Sequence, residues 1–249
     1  MSEEILVTRE AGIMEIRFNR PAKKNAITNA MYGAMADALE QGDGDESVRA
    51  VLFTAEGDVF SAGNDIVDFA AIATGAAGDG PHHVGRFLWR IIAAEKPVIA
   101  AVQGHAVGVG TTMLFHCDLV YIAENAELTT PFVDLGLAPE NASSLTIPAR
   151  MGHARAFAML GLGEPLLGRD AVAAGLANAA LPAAEVEPRA RAAANALAKK
   201  PAQSLKLTKS LMRDRETLLA RVRQESALFA ERLRSDEARA AFAAFLSRR

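Results

Sequence analysis

The chain has 249 residues with 27 Lys and Arg against 30 Asp and Glu, a formal net charge of -3; a pI near 6.0 without a long basic run argues against a nucleic-acid footprint. Half of the residues are apolar and one is cysteine, so the chain can bury about 70–75% of its unfolded surface and needs neither disulfide nor metal to fold. The acidic start Met1-Ser2-Glu3-Glu4 is unlike a targeting segment, and the longest apolar stretch, Pro97–Phe115, breaks at Gln103, Gly104 and His105, before the roughly 20 residues of a membrane span. The expectation is a soluble cytoplasmic protein that carries Cys117 as a buried, reduced thiol.

In chain order, Ile5–Thr8 and Ile13–Phe18 read as strands flanking the turn Glu10-Ala11-Gly12. Met14, Ile16 and Phe18 share one face of the second strand, and Glu15 and Arg17 the other. After a turn at Asn19-Arg20-Pro21, Thr28 suits the N-cap of a helix with apolar face Met31, Met35, Ala38 and Leu39, ended by Gly42. Val48–Thr54 is a short apolar run typical of a buried parallel strand. The stretch Thr74–Gly80, rich in Gly and Ala, reads as a loop able to move beside a site.

A helix follows over His83–Ala94, then a strand at Val98–Val102, a turn at Gly104–Gly110, a helix at Thr111–His116 and a strand at Asp118–Ala123. This order predicts an α/β fold with strands returning in parallel. From Ser143 the character turns helical, with helices expected at Asp170–Gly175, Ala184–Lys199, Ala202–Arg213 and Glu216–Arg234. The charged last stretch, 216–249, carries an apolar stripe through Leu218, Val222, Leu228, Phe229, Leu233, Phe242 and Phe245, which suits a docking or oligomer face. Lys199-Lys200-Pro201 marks the boundary between a core, 1–199, and a helical tail, 200–249.

The chemistry-bearing candidates are few. Glu140 lies among Phe132, Val133, Leu135, Leu137, Ala138, Leu145 and Ile147. Desolvation there would raise its pKa and suit a general base near neutral pH, although the same residue could serve as a helix N-terminal carboxylate. The turns Ser61-Ala62-Gly63-Asn64 and Val107-Gly108-Val109-Gly110 each follow a strand. Together they could present two backbone N–H groups to a developing oxyanion, or be no more than tight turns. There is no dinucleotide fingerprint, phosphate loop or nucleophile elbow. His82-His83 lacks the carboxylate or cysteine support of a metal site; no metal or cofactor site is visible. His105, His116 and His153 sit singly in apolar context.

These segments jointly resemble the crotonase family, the enoyl-CoA hydratase/isomerase superfamily. The resemblance rests on Asn19-Arg20-Pro21 with Asn25-Ala26, Phe60-Ser61-Ala62-Gly63-Asn64-Asp65, Lys96-Pro97-Val98-Ile99-Ala100-Ala101-Val102-Gln103-Gly104, Gly108-Val109-Gly110 and Cys117-Asp118. It implies an α/β fold, the repeated β-β-α superhelix of the ClpP/crotonase fold, with a C-terminal helical region that forms homotrimers or dimers of trimers. It also implies an acyl-CoA thioester substrate, with coenzyme A as part of the substrate and no separate cofactor. The oxyanion donors would be the N–H groups of Asn64 and Val109.

Where hydratases of the family carry two glutamates, this chain reads Thr112 and Phe132. The run Leu137-Ala138-Pro139-Glu140 is instead similar to the enoyl-CoA isomerase branch, in which that glutamate is the base. The resemblance further implies CoA contacts at Lys23, Lys24, Ala62, Asp65, Ile66 and Phe242, with Arg248 or Arg249 near the 3′-phosphate in place of a lysine at Phe245. It implies an acyl pocket at Phe69, Phe87, Trp89, Phe132 and Leu137. The expected reaction converts 3-enoyl-CoA to 2-enoyl-CoA. The alternatives are a hydratase or ring-isomerising relative drawing its missing carboxylate from Asp65, Asp68 or Asp134, and a non-catalytic acyl-CoA binder.

Overall fold

The alternation in the second strand decides the first contacts. In the computed structural model, which describes residues 3–66 and 82–246, β1 (Ile5–Glu10) and β2 (Ile13–Phe18) pair antiparallel. They are joined by Ala11 and Gly12, both at positive φ, as a tight two-residue hairpin requires. Met14, Ile16 and Phe18 are fully buried. The opposite face is not left to water: Glu15 binds Arg17, Arg191 and the Thr54 hydroxyl, and Glu187 joins the same two arginines.

That polar face is covered by α6 (Ala183–Ala198), while α1 (Asn29–Gly44) covers the other side. The Thr28 hydroxyl accepts from the Met31 N–H and caps α1, whose residues Met31, Met35, Ala38 and Leu39 are all buried. The main sheet continues in parallel through β3 (Ala50–Ala55), β5 (Val98–Val102), β7 (Leu119–Ala123) and β10 (Ala179–Leu181). A second sheet is built from β4 (Val59–Ser61), β6 (His105–Val107) and β8 (Glu127–Thr129), parallel to one another, with β9 (Leu166–Leu167) antiparallel at its edge.

The two sheets are threaded by one repeated step. Each of β3, β5 and β7 passes through a short corner into a strand of the second sheet and then toward a helix. The helices that follow are α2 (Val84–Ala93), α3 (Val109–Thr112) and α4 (Ser143–Met151). The C-terminal ends of β4, β6 and β8 therefore lie side by side, where parallel α/β sheets place their ligands.

Three-residue strands carry too little period to be read from sequence, and β6 lies inside the expected turn at Gly104–Gly110. The expected helix at Thr111–His116 is instead α3 followed by a 3-10 turn at Met113–His116. The one expected at Asp170–Gly175 reduces to a 3-10 turn at Gly168–Asp170. Between 143 and 161 the helical character resolves into α4 and α5 (His153–Gly161), divided by Gly152 at positive φ.

The tail consists of α7 (Ala202–Met212), α8 (Arg215–Leu233) and α9 (Asp236–Leu246). Lys209 of α7 is buried and donates to Asp118 at 2.8 Å, while Asp118 accepts from the Val98 N–H at 2.7 Å, so α7 is pinned to the head of β5. Val222 of α8 belongs to the main core, and α8 lies against α2. Cys117 is buried, and burial pushes its thiol up to about 12. Among the described residues no helix is long and apolar enough to cross a membrane, and no three His, Cys, Asp or Glu cluster as metal ligands would.

The β5–β6 corner passes so close to β4 that a Cβ at Gly104 would stand 1.8 Å from the Asp58 carbonyl oxygen. Gly104→Ala is expected to cost about 1–3 kcal/mol through backbone displacement. Urea unfolding checks this: a midpoint equal to that of the unmodified protein would show that the corner is not as tight as described.

Candidate active site

The site begins where β4 and β6 end. Gly63 has φ +80°, and a Cβ there would lie 2.7 Å from the Val107 carbonyl oxygen. A Cβ on Gly110 already approaches Ser61 Cβ at 2.9 Å. Glycine at these positions lets the two turns touch. Within the first turn, the Ala62 N–H donates to Lys24 O at 2.9 Å and the Gly63 N–H to the Ser61 hydroxyl at 3.1 Å. Asn64 forms a parallel bridge to Ile27, in which Ile27 N–H donates to Gly63 O and Asp65 N–H donates to Ile27 O. The N–H of Asn64 itself therefore faces away from Ile27.

In the second turn the Gly108 N–H donates to Thr129 O, and Val109 is the first residue of α3. Helix geometry gives such an N–H no intrahelical acceptor. Among the described residues neither of these N–H groups has a backbone acceptor, and Asn64 and Gly108, the residue before Val109, line one cavity of about 120 Å³ together with Gly63, Phe132, Leu137 and Phe242. The Tyr32 hydroxyl donates to Asn64 Oδ1 at 2.5 Å and fixes that side chain from behind.

Glu140 lies in the segment between β8 and α4. It is 6% exposed, and its Oε1 has no hydrogen-bond partner among the described residues. Burial, with Glu225 as a second negative charge, pushes its carboxyl up to about 8, against the opposing effect of a hydrogen bond with the Thr112 hydroxyl. Its charge in turn adds to the burial that raises the Tyr32 phenol, so base, phenol and Asn64 form one neighbourhood. Of the apolar residues expected around it, Leu137 and Ile147 are buried, whereas Val133 is 55% exposed.

The backbone after Glu140 is left-handed at Asn141 and Ala142, with φ of 60° and 55°, a cost that only surrounding contacts can hold. His116 supplies one, with Nε2 at 2.6 Å from Asn141 O and Nδ1 at 2.8 Å from Arg213 Nη2. Because a carbonyl only accepts and a guanidinium only donates, Nε2 carries the proton and Nδ1 accepts. Burial and Arg213 push the imidazole down to about 3, so it stays neutral.

Beside the cavity, Lys23, Lys24, Ala62, Asn64, Asp65 and Ile66 come together along a groove of about 600 Å³. Arg20, which the sequence reading passed over, lies in the same groove and holds Asp65 at 2.6 Å and Glu4 at 2.7 Å. Phe242 is not on this groove but in the apolar cavity with Phe132 and Leu137.

Two expected pocket residues are elsewhere. Phe87 is buried in the core with its ring 5.6 Å from that of Tyr32, and Trp89 is 42% exposed with the Arg90 guanidinium over its ring. Positions two apart on a helix point to opposite sides, so both could not line one pocket. Phe69, Asp68, the stretch Thr74–Gly80, and Arg248 and Arg249 lie outside the described residues, as does the Phe245 side chain. Glu225 and Phe229 of α8 complete the neighbourhood, the first near Glu140 and the second in the cavity wall. Apart from the apolar stripe that includes Phe229, nothing in the sequence signals them.

A family model described as Enoyl-CoA hydratase/isomerase matches residues 8–249. The chain is 39% identical over 253 residues to Enoyl-CoA delta isomerase 2 of Rattus norvegicus, with 100% of this chain and 64% of that protein covered. It therefore spans less than two thirds of that relative's length. Among solved structures, Pseudomonas aeruginosa OdaA superposes with a TM-score of 0.93 at 45% identity, covering 98% of this chain and 99% of that one. An enoyl-CoA hydratase/isomerase from Pseudoalteromonas atlantica T6c gives a TM-score of 0.93 at 38% identity, with 99% and 98% covered.

A raised carboxyl pKa means that the folded chain binds this proton more tightly than the unfolded chain, so stability falls as pH rises from about 4.5 through about 8. Glu140→Gln removes the charge and is expected to melt at a higher temperature than the parent at pH 8, with the gap closing toward pH 4.5. Identical melting curves at pH 8 would mean that the carboxylate is not buried at a cost.

Proposed function

The chain belongs to the enoyl-CoA hydratase/isomerase family and has its crotonase fold, and we propose that it moves a double bond of an acyl-CoA thioester from C3 to C2, with Glu140 as the sole acid and base. The observation that carries this reading is the buried Glu140 carboxylate with its raised pKa, in a site where Thr112 and Phe132 occupy the positions at which family hydratases carry glutamates.

The chemistry needs one such group. Glu140 takes a proton from C2 of the 3-enoyl thioester, the C2–H electrons form the C2=C1 bond, and the thioester oxygen becomes the negative end of a dienolate. The N–H groups of Asn64 and Val109 hold that oxygen; one donor of this kind is typically worth about 3–4 kcal/mol. The same carboxyl then returns the proton to C4 as the C2=C3 bond forms, so no proton, water or electron is consumed. A base with a pKa near the working pH suits both halves of the transfer. Water addition would need a positioned water and a second group to handle its protons. In the same reading the CoA arm follows the groove past Lys23, Lys24, Ala62, Asp65 and Ile66, and the acyl chain enters the cavity at Phe132, Leu137 and Phe242. The exposed apolar residues Leu207, Leu211 and Met212 on α7 support association of the chain with its own copies, as a homotrimer or dimer of trimers.

The decisive assay incubates the protein with 3-hexenoyl-CoA and, separately, with 2-hexenoyl-CoA, following conjugation by absorbance and hydration by mass. Conjugation without a hydrated product is expected; hydration would favour the hydratase reading, and binding without either reaction a non-catalytic one. Because the base acts deprotonated, kcat/KM should rise with pH through about 8. Glu140→Gln should lower kcat by at least about 10²-fold while leaving thioester binding intact, and full turnover in that variant would falsify the assignment. Replacing Lys23 or Lys24 by Ala should raise KM several-fold for the CoA thioester, but not for the pantetheine thioester of the same acyl chain. Equal effects on both substrates would take the lysines off the phosphate end.

A further inference from the structure

The segment that carries Glu140 is held by a residue far away in the chain. Helix α4 starts at Ala142, whose side chain cannot accept a hydrogen bond, and no side chain of its own caps it. Glu225 of α8 takes that place: its Oε1 accepts from the Ser144 N–H at 3.0 Å and from the Ser144 hydroxyl at 2.5 Å. Glu225 is 4% exposed, and its Oε2 has no hydrogen bond among the described residues. Arg221, one turn earlier on α8, donates to the Ser144 hydroxyl at 3.0 Å.

A cap does not need a charge in this position. An uncharged amide oxygen would accept the same two hydrogen bonds, and a second carboxylate buried beside Glu140 costs free energy that a glutamine would avoid. We propose that Glu225 is a positioning residue for the Glu140 base, holding the left-handed turn at 141–142 through Ser144 and placing a second negative charge in its neighbourhood.

The direction of this influence agrees with the electrostatics. Glu225 is the second cause, after burial, of the raised Glu140 pKa, and burial raises Glu225 itself. Among the described residues, the other titratable and charged groups that face the pair are Tyr32 from α1, Arg221 on α8 itself and His116, which holds the Asn141 carbonyl and stays neutral. Tyr32 is neutral at working pH, and Arg221 acts on Glu225. Removal of the Glu225 charge therefore lowers the Glu140 pKa, and the base becomes active at lower pH.

The inference rests on the isomerase reading for its kinetic consequence but not for its electrostatic one, and the test separates them. Glutamate carboxyls are labelled with carbon-13 and titrated by NMR in the full chain without substrate, the Glu140 signal being the one lost in Glu140→Gln. Glu225→Gln, which keeps the cap and removes the charge, should move that titration down by about one pH unit, and should move the acid limb of kcat/KM for 3-hexenoyl-CoA in the same direction with KM unchanged. Glu225→Ala, which loses both, should in addition lower kcat at every pH. A Glu225→Gln titration that overlays the parent's would overturn the proposal and leave Glu225 a structural cap, and so would equal, pH-independent losses in both variants. Should the parent show no double-bond migration, the isomerase reading fails, while the NMR titration still decides the role of Glu225.

Discussion

A carboxylate buried with no cation beside it among the described residues is the constraint around which the rest of this structure is arranged. Charge in a low-dielectric interior is normally neutralised by a partner, yet the group that eases Glu140 is the Thr112 hydroxyl and the charge that acts on it is another carboxylate. The side chain stays inside because its backbone leaves it little choice. The left-handed pair Asn141 and Ala142 directs the chain, and that pair is gripped by a histidine whose tautomer is dictated by Arg213 on one side and by the Asn141 carbonyl on the other. A neutral His116 is required here: an imidazolium would bring a positive charge close to the base and lower its proton affinity.

The opposite pole is made by backbone rather than side chains. Three short parallel strands bring their C-terminal ends together, and glycines at 63 and 110 remove the side chains that would hold the first two apart. The turn at Ala62–Asn64 uses its first two N–H groups internally, on Lys24 and Ser61, and leaves the third. The turn at Gly108–Val109 does the same by giving the Gly108 N–H to β8 and opening α3 with the next. Backbone N–H groups at such turn ends concentrate partial positive charge where an atom that becomes negative would be held.

Legibility in the sequence followed the length of the signal. Runs with full periods, such as β2 and α1, could be placed because five or six residues of alternation or a capped stripe decide between strand and helix. The strands that build the site have three residues each and no period, so their turns could be recognised only by glycines and by the joint pattern of motifs. Glu140 was visible because its apolar company lies next to it in sequence. Glu225 was not, since on a helix as charged as 215–233 one more glutamate reads as solvated surface, and the partner that holds its carboxylate, Ser144 of α4, lies some 80 positions earlier. The misplacement of Trp89 has a simpler cause: membership of the right helix does not determine the face, and the spacing from Phe87 put the two on opposite sides.

The compositional break at Lys199-Lys200-Pro201 separates residues of different character, but the site crosses it. Val222, Glu225 and Phe229 follow one another at helical spacing along α8, and they meet respectively the core, the start of α4 and the apolar cavity. One face of one tail helix thus closes the back of the base and the wall of the pocket. Loss of that face would let water solvate the Glu140 charge, and its pKa would return toward that of an ordinary carboxylate. The tail therefore belongs to the candidate site as much as to the packing, because residues on both sides of the break meet around Glu140.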